Sequence, residues 1–353
     1  DLRFRADFTT GKADHRVLIG TQYQDVTTDD DGYYAYAVGY DFFTGQPDTT
    51  FGDTYWINVF DPVYGSVPPS NLLDSLYVNN PDTTTEDIGF YVSDHISIDS
   101  WHITVGARYD ETETDAASET QKDDELSLSA GVLYKFENGV APYFSYAESF
   151  EPVIGDNGEG NALKPQEGEQ IEVGIKYQPE SFPAAITVAY FEIEQSNLSD
   201  PNVLAGIVEQ QRGVAEIDGI ELEAIATLGE FTVEFNASKL DTENPDGFRL
   251  DSVPEKQASV WSTWRPQGDL SGFKAGAGIR YVGESYSENE YVSYRTPSYS
   301  LVDLMLGYEI DQWDLTLNVR NANDKEYQAT CLSRGDCFPG EEQTIVGKVR
   351  YQF

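Results

Sequence analysis

Methionine occurs once in this chain, cysteine twice and histidine three times. There is no CxxC motif, and His15, His95 and His102 are scattered, so a zinc site has no support. No stretch of 18 or more apolar residues exists, which excludes a transmembrane helix. It does not exclude a membrane protein, because each strand of a membrane β-barrel carries only about 10 alternating residues. Cations are few as well: 22 Lys and Arg stand against 62 Asp and Glu, a formal charge of −40. A chain that binds nucleic acid or an anionic membrane surface shows the opposite bias. No Ser/His/Asp or Cys/His grouping stands out, and the carboxylates are too numerous for a pair to be singled out, so nothing points to an enzyme.

Aromatics, by contrast, are plentiful, with 23 Tyr, 18 Phe and 5 Trp beside 30 Gly. An aromatic- and glycine-rich chain of low hydropathy suits a barrel with a wet interior and a lipid-facing exterior. The strongest local signal is two-residue alternation. Trp313, Leu315, Leu317 and Val319 share one face, and Asp314, Thr316, Asn318 and Arg320 the other. The last residues continue it, with Ile345, Gly347, Val349, Tyr351 and Phe353 on the apolar side, so the C-terminus is expected to be paired rather than a free tail. The expected fold class is all-β.

Alternating segments bounded by turn residues number about fifteen. Their spans are 2–9, 15–28, 86–98, 101–113, 125–136, 140–149, 169–177, 184–195, 215–227, 231–240, 256–265, 273–284, 299–310, 313–321 and 344–353. In 184–195 both faces are apolar and the orientation stays open. His102, between Trp101 and Ile103, is expected on the polar face. The connections alternate in length. Asp99-Ser100, Asn138-Gly139, Gly229-Glu230 and Asp311-Gln312 are short, Asn-Gly being a strong hairpin signal. Segments 29–85, 114–124, 150–168, 196–214, 241–255, 285–298 and 322–343 are expected as long loops. Sorting of turn length by end is the layout of a transmembrane antiparallel β-barrel, and a soluble sandwich has no reason for it. Trp101, Tyr109, Phe136, Tyr308, Trp313 and Phe353, near strand ends, fit interfacial girdles. The acidic residues are expected mostly between strands, as in Asp29–Asp31 and Asp123-Asp124-Glu125. These runs read either as solvated loops or, at Asp29–Asp31, as a calcium site, although that run lacks the full spacing of a calcium loop. No signal peptide is visible, and an odd strand count would leave open edges, so further strands are expected ahead of Asp1.

Several motifs carry a family resemblance. They include Ala141-Pro142-Tyr143-Phe144-Ser145-Tyr146-Ala147-Glu148-Ser149-Phe150, Leu163-Lys164-Pro165-Gln166-Glu167-Gly168, and Glu169-Gln170-Ile171-Glu172-Val173-Gly174-Ile175-Lys176-Tyr177. Others are Gly219-Ile220-Glu221-Leu222-Glu223, Asn318-Val319-Arg320-Asn321-Ala322-Asn323-Asp324 and the final Arg350-Tyr351-Gln352-Phe353. In this order across nearly the whole chain, they resemble the TonB-dependent siderophore receptors of the outer membrane of Gram-negative bacteria. Asn58-Val59-Phe60-Asp61-Pro62-Val63-Tyr64 and the cysteine pair before the last strand are similar to the ferrichrome, or ferric hydroxamate, branch.

The resemblance implies a barrel of about 22 strands filled by an N-terminal plug. The fifteen strands would be its C-terminal portion, with the plug, the TonB-contacting segment and the first strands outside this chain. It implies a receptor that binds a ferric siderophore of hydroxamate type and imports it by TonB-dependent energy coupling. It implies contact with outer-membrane lipid and lipopolysaccharide, and a monomer. No intrinsic cofactor is expected, ferric iron entering only within the ligand. In a protein assembled through an oxidising periplasm, Cys331 and Cys337 are expected to form a disulfide. Aromatic side chains give a bulky, weakly charged complex large contact area, with a Tyr hydroxyl for hydrogen bonding. The 29–85 segment is rich in them, and these either meet ligand or pack the loop on itself. By resemblance, Tyr34, Tyr36 and Phe338 are the candidate ligand contacts. Leu332, after the first cysteine, departs from the branch pattern, which has an aromatic there. The alternatives are a passive porin, a surface adhesin, or an importer of another scarce ligand such as a cobalamin-like cofactor.

Overall fold

The computed structural model describes residues 1–29, 82–116, 119–153, 163–198, 211, 213–333 and 335–353, with the backbone of four short strands between 31 and 79. In chain order the strands begin with β1 (Leu2–Thr10), β2 (Ala13–Thr28), β3 (Asp31–Tyr33), β4 (Tyr40–Asp41), β5 (Gln46–Pro47), β6 (Tyr77–Asn79), β7 (Thr83–Ile98) and β8 (Trp101–Ala116). Then come β9 (Glu119–Tyr134), β10 (Val140–Glu151), β11 (Gln166–Tyr177), β12 (Ala184–Ser196), β13 (Val214–Leu228), β14 (Phe231–Glu243) and β15 (Lys256–Trp264). The last are β16 (Phe273–Val282), β17 (Ser285–Glu288), β18 (Ser293–Thr296), β19 (Tyr299–Ile310), β20 (Trp313–Arg320), β21 (Gln328–Cys331), β22 (Cys337–Pro339) and β23 (Thr344–Tyr351). Fifteen of them form one sheet in the order β1-β2-β7-β8-β9-β10-β11-β12-β13-β14-β15-β16-β19-β20-β23. The remaining eight pair as β3-β6, β4-β5, β17-β18 and β21-β22. The fold is all-β, with consecutive strands of the main sheet antiparallel neighbours wherever register is resolved.

The connections fall into two classes. Residues 11–12, 99–100, 135–139, 178–183, 229–230, 265–272 and 311–312 turn the chain at one end. The two-residue turns demand positive φ, supplied by Gly11 (64°), Asp99 (50°), Gly229 (63°) and Asp311 (50°). At Asn138-Gly139 the glycine has φ 85°, and Val140 N–H donates to Asn138 Oδ1 at 3.1 Å. At the other end the connections are long, except between β8 and β9, and two of them contain the hairpins β17-β18 and β21-β22.

The sequence expectation fails at 114–124. This is no loop: β8 runs on to Ala116 and β9 starts at Glu119. Thr112 and Thr114 are buried on one side, while Glu113 and Asp115 lie on the other and bind cations or hydroxyls across the hairpin. Lys122 Nζ reaches Glu113 Oε2 at 2.7 Å, and Thr120 Oγ1 donates to Asp115 Oδ1 at 2.5 Å. Alternation of threonine with acid is a strand pattern without apolar residues, which a hydropathy reading misses.

The sheet has almost no conventional core. Among the described residues, only Ala141, Leu163, Ala189, Phe191, Ala215, Leu301 and Cys331 are buried hydrophobics. The large apolar side chains instead stand exposed in rows: Ile171, Val173 and Ile175 on β11, Leu304 and Leu306 on β19, Leu315 and Leu317 on β20. An apolar face this extensive matches lipid, not water. At its short-turn end aromatic rings pair off: Trp101 with Tyr134 (4.8 Å), Phe273 with Tyr308 (4.6 Å), and Trp313 with Tyr351 (4.8 Å). That is where an interfacial girdle belongs.

β12, ambiguous in sequence, takes one orientation. Val188 and Tyr190 are exposed with the apolar rows, and Ala189 and Phe191 are buried on the opposite face. Phe191 lies opposite Gly219 on β13. Its ring, with the Leu240 side chain, fills the space where a Gly219 Cβ would stand, 2.8 Å from each.

The acid is placed differently from the expectation as well. Glu148, Glu169, Glu194, Glu216 and Glu243 lie directly opposite one another across five adjacent strands, near the long-loop ends. A substantial part of the charge is therefore on the sheet, in a register where like charges repel.

Candidate functional site

Three long connections are knitted together at the long-loop end: residues 244–255, the β17-β18 hairpin and the β21-β22 hairpin. Each is first shaped locally. Asn244 Oδ1 accepts from Asp246 N–H (3.0 Å) and Phe248 N–H (2.9 Å), an Asx turn that folds the first connection. Asn289 Oδ1 does the same for Tyr291 (2.9 Å) and Val292 (3.0 Å) at the tip of β17-β18. Cys331 and Cys337 face each other on β21 and β22 and are joined, with Cα atoms 4.0 Å apart.

Side-chain hydroxyls then tie the three pieces. Cys331 N–H donates to Thr296 Oγ1 and Ser333 N–H to Ser287 Oγ, both at 2.8 Å. Ser252 and Thr330 hydroxyls meet at 2.5 Å, and Ser252 N–H donates to the Tyr286 carbonyl at 2.8 Å. The Arg249 guanidinium lies 4.2 Å from the centre of the Tyr286 ring and binds Glu255 at 3.2 Å. Ser285, Ser287, Thr296 and Cys331 are all buried. Buried backbone N–H groups need partners, and here small hydroxyl side chains supply them where no strand ladder reaches.

This assembly presents aromatics outward. Tyr291 is 84% exposed, Tyr294 39% and Phe338 44%. Phe338 stands opposite Thr330 on the cysteine hairpin. Glu290 beside the Tyr291 hydroxyl holds that phenol above its ordinary pKa. Of the residues singled out from sequence, Phe338, Cys331 and Cys337 come together in this assembly, with Leu332 adjoining. Tyr34 and Tyr36 lie outside the described residues. Of the Asp29–Asp31 run, Asp30 lies outside them too, Asp31 is described only in its backbone, and the Asp29 side chain is exposed. Sequence reading missed Ser252, Ser287, Thr296 and Thr330, since isolated Ser and Thr in turn-rich segments carry no distinguishing signal.

The polar face of the sheet is a second feature. Several of its cations meet carboxylates: Arg108 Nε with Asp110 (2.7 Å), Lys274 Nζ with Asp314 (2.6 Å) and Glu309 (3.0 Å), Arg280 Nε with Asp303 (2.5 Å). Tyr143 donates to Glu172, which also accepts from Gln170 at 3.1 Å. A groove of about 350 Å³ runs across β13–β16, lined by Glu221, Glu223, Asn236, Ser238, Gln257 and Arg280. Such a face suits a hydrated lumen.

The model of the TonB dependent receptor-like β-barrel family matches residues 1–322. The chain belongs to that family. The ferrioxamine B receptor of Salmonella typhimurium is 34% identical over 376 residues, covering all of this chain and 50% of that protein. The ferrichrome outer membrane transporter/phage receptor of Escherichia coli K12 is 31% identical over 379 residues, covering all of this chain and 48% of that protein. The chain thus spans about half the length of the curated relatives it matches. The crystal structure of the ferric-catecholate import receptor Fiu from E. coli superposes with a TM-score of 0.77 at 21% identity, covering 99% of this chain and 54% of that one. The siderophore receptor PiuA from Acinetobacter baumannii gives 0.76 at 23%, covering 99% and 55%. The family is one of TonB-dependent receptors of the Gram-negative outer membrane, and the two relatives named here are siderophore receptors. Its members are not enzymes, and membership displaces the porin and adhesin readings. The apolar rows of the sheet suit the lipid-facing side of such a barrel.

Proposed function

We propose that this chain is the C-terminal barrel portion of a receptor that takes up a ferric siderophore of hydroxamate type, with energy from a TonB-type partner. The observation that carries the ligand side is the hydroxyl-tied assembly of three long connections, which offers Phe338 and Tyr294 on a rigid base. A rigid aromatic surface gives a large, weakly charged chelate contact area at low entropic cost. The ligand class is supported by relatives named for ferrioxamine and ferrichrome that match over the whole of this chain. Tyr34, Tyr36 and Phe338 are the proposed contacts. Iron arrives as cargo inside the chelate, no resident cofactor is required, and the receptor works as a monomer among outer-membrane lipid and lipopolysaccharide.

The test is growth of an iron-limited strain whose only siderophore receptor is the full-length protein, supplied with one ferric siderophore at a time. Growth on hydroxamates and not on catecholates supports the ligand class. Growth that persists after deletion of the TonB-type partner overturns the coupling. Growth only on a catecholate or a cobalamin-like ligand overturns the hydroxamate reading.

A further inference from the structure

The cysteine hairpin carries no tyrosine: between Gln328 and Pro339 its one aromatic is Phe338. A phenol reaches it from the neighbouring hairpin. Tyr294 on β18 places its hydroxyl beside the turn of the cysteine hairpin, 3.8 Å from where a Gly335 Cβ would stand. That turn is closed: Gly335 has φ 101°, and its N–H donates to the Leu332 carbonyl at 2.9 Å.

β18 uses its other side chains to hold the assembly together. Ser293 Oγ donates to Glu288 Oε1 at 2.6 Å, Arg295 Nη1 donates to Glu284 Oε1 at 3.1 Å, and Thr296 Oγ1 accepts the Cys331 N–H at 2.8 Å. The other two phenols of the β17-β18 hairpin are beside carboxylates. Tyr286 donates to Glu284 at 3.1 Å, and Tyr291 lies against Glu290. The Tyr294 hydroxyl makes no hydrogen bond among the described residues. Its ring is 39% exposed, and its partner across the hairpin is Ser287, which is fully buried and tied to Ser333. A ring on so fixed a strand gives up little freedom on binding, and its O–H is free to donate. The carbonyl and N–O oxygens that hold iron in a hydroxamate chelate are acceptors, so a donor is what they lack.

We propose that Tyr294 is a hydrogen-bonding contact for the chelate: its hydroxyl donates to an iron-bound oxygen, while its ring covers part of the chelate's apolar surface. This rests on the hydroxamate reading above and adds to it the donor that Phe338 cannot supply.

The test is titration of the full-length receptor in detergent with ferrioxamine B and with ferrichrome as ferric hydroxamate probes, read by fluorescence quenching. Tyr294→Phe should weaken binding of the probe that the parent takes by about three- to tenfold, the worth of a neutral hydrogen bond. Tyr294→Ala should weaken it further, since the ring area is lost as well. Amide exchange at Cys331 and Ser333 should be the same in Tyr294→Phe as in the parent. Heat-modifiable gel migration checks that each variant is a folded barrel. A parent that binds neither probe overturns the hydroxamate reading, and this role with it. A parent that binds, with Tyr294→Phe equal to it, overturns the role of the hydroxyl alone. Faster exchange at Cys331 or Ser333 in Tyr294→Phe makes Tyr294 a support of the hairpin and overturns the contact.

Discussion

Ser287 Oγ accepts the backbone N–H of Ser333 at 2.8 Å, and Ser287 is fully buried. One hydroxyl thus joins the β17-β18 hairpin to the cysteine hairpin, 46 residues further along the chain. Ser287→Ala removes the acceptor and leaves a part-buried N–H without a partner. The expected cost is about 1–3 kcal/mol, confined to these loops. Hydrogen exchange should speed up at Ser333 and Cys331 while β13–β16 remain protected. Exchange unchanged at Ser333 refutes the role of this contact.

The disulfide acts on the same assembly by another route. It closes a short loop, with a sequence separation of 6. Loop-closure entropy then gives about 2 kcal/mol, felt locally because the loop is peripheral to the sheet. A Cys331→Ser/Cys337→Ser double variant should be cut faster by protease between β20 and β23 and keep the barrel's unfolding temperature. A drop in the unfolding temperature as large as that of a strand-pairing defect contradicts the local account.

Lys274 is buried between Glu309 and Asp314 on the polar face, at 3.0 and 2.6 Å. Lys274→Met strips two carboxylates of their common cation. The Asp314 side chain is part-buried, and losing its partner should destabilise the barrel by less than a deeply buried pair would. The heat-modification temperature of the full-length receptor should fall. Adding Asp314→Leu should recover part of the loss, since it removes one stranded charge. No recovery in the double variant argues that Lys274 matters by packing alone.

Gly219 tests the orientation of β12. A methyl there would sit 2.8 Å from the Phe191 ring and from Leu240. Gly219→Ala should destabilise by about 1–3 kcal/mol through overpacking, measured as a lower heat-modification temperature. Phe191→Ala should relieve the clash in combination, so the two changes are non-additive. Strict additivity would mean that Phe191 does not occupy that space.

These residues also mark what the sequence made legible. The fifteen strands of the main sheet were readable because one face is apolar and the other polar, and the resulting two-residue period is written in single residues. β12 was unreadable in orientation because the room for Phe191 comes from a glycine on the neighbouring strand, not from β12 itself. The end of β8 escaped notice because its alternation is between threonine and acid, and the start of β9 because Glu119 to Glu125 are polar throughout. The carboxylate row from Glu148 to Glu243 was hidden because it exists only in the register of five strands. The loop assembly was invisible for the same reason: Ser252–Thr330, Thr296–Cys331 and Ser287–Ser333 are contacts across 35 to 78 residues. Phe338 was reached only through the family resemblance.

Phe338 therefore deserves the most direct test of the proposed function. It is 44% exposed on a hairpin fixed by the disulfide and by Thr296, so truncating it removes contact area without disturbing its support. In the full-length receptor, Phe338→Ala should weaken binding of a ferric hydroxamate by about 1–2 kcal/mol, roughly tenfold, seen by fluorescence quenching. Tyr34→Ala with Tyr36→Ala should weaken it at least as much if that segment meets the same ligand. Combining all three reveals whether they share it: contacts on one ligand should give a non-additive total, whereas independent effects indicate separate roles. Unchanged affinity in Phe338→Ala removes the cysteine hairpin from the binding surface, and the hydroxyl ties around Ser287 would then serve loop architecture alone.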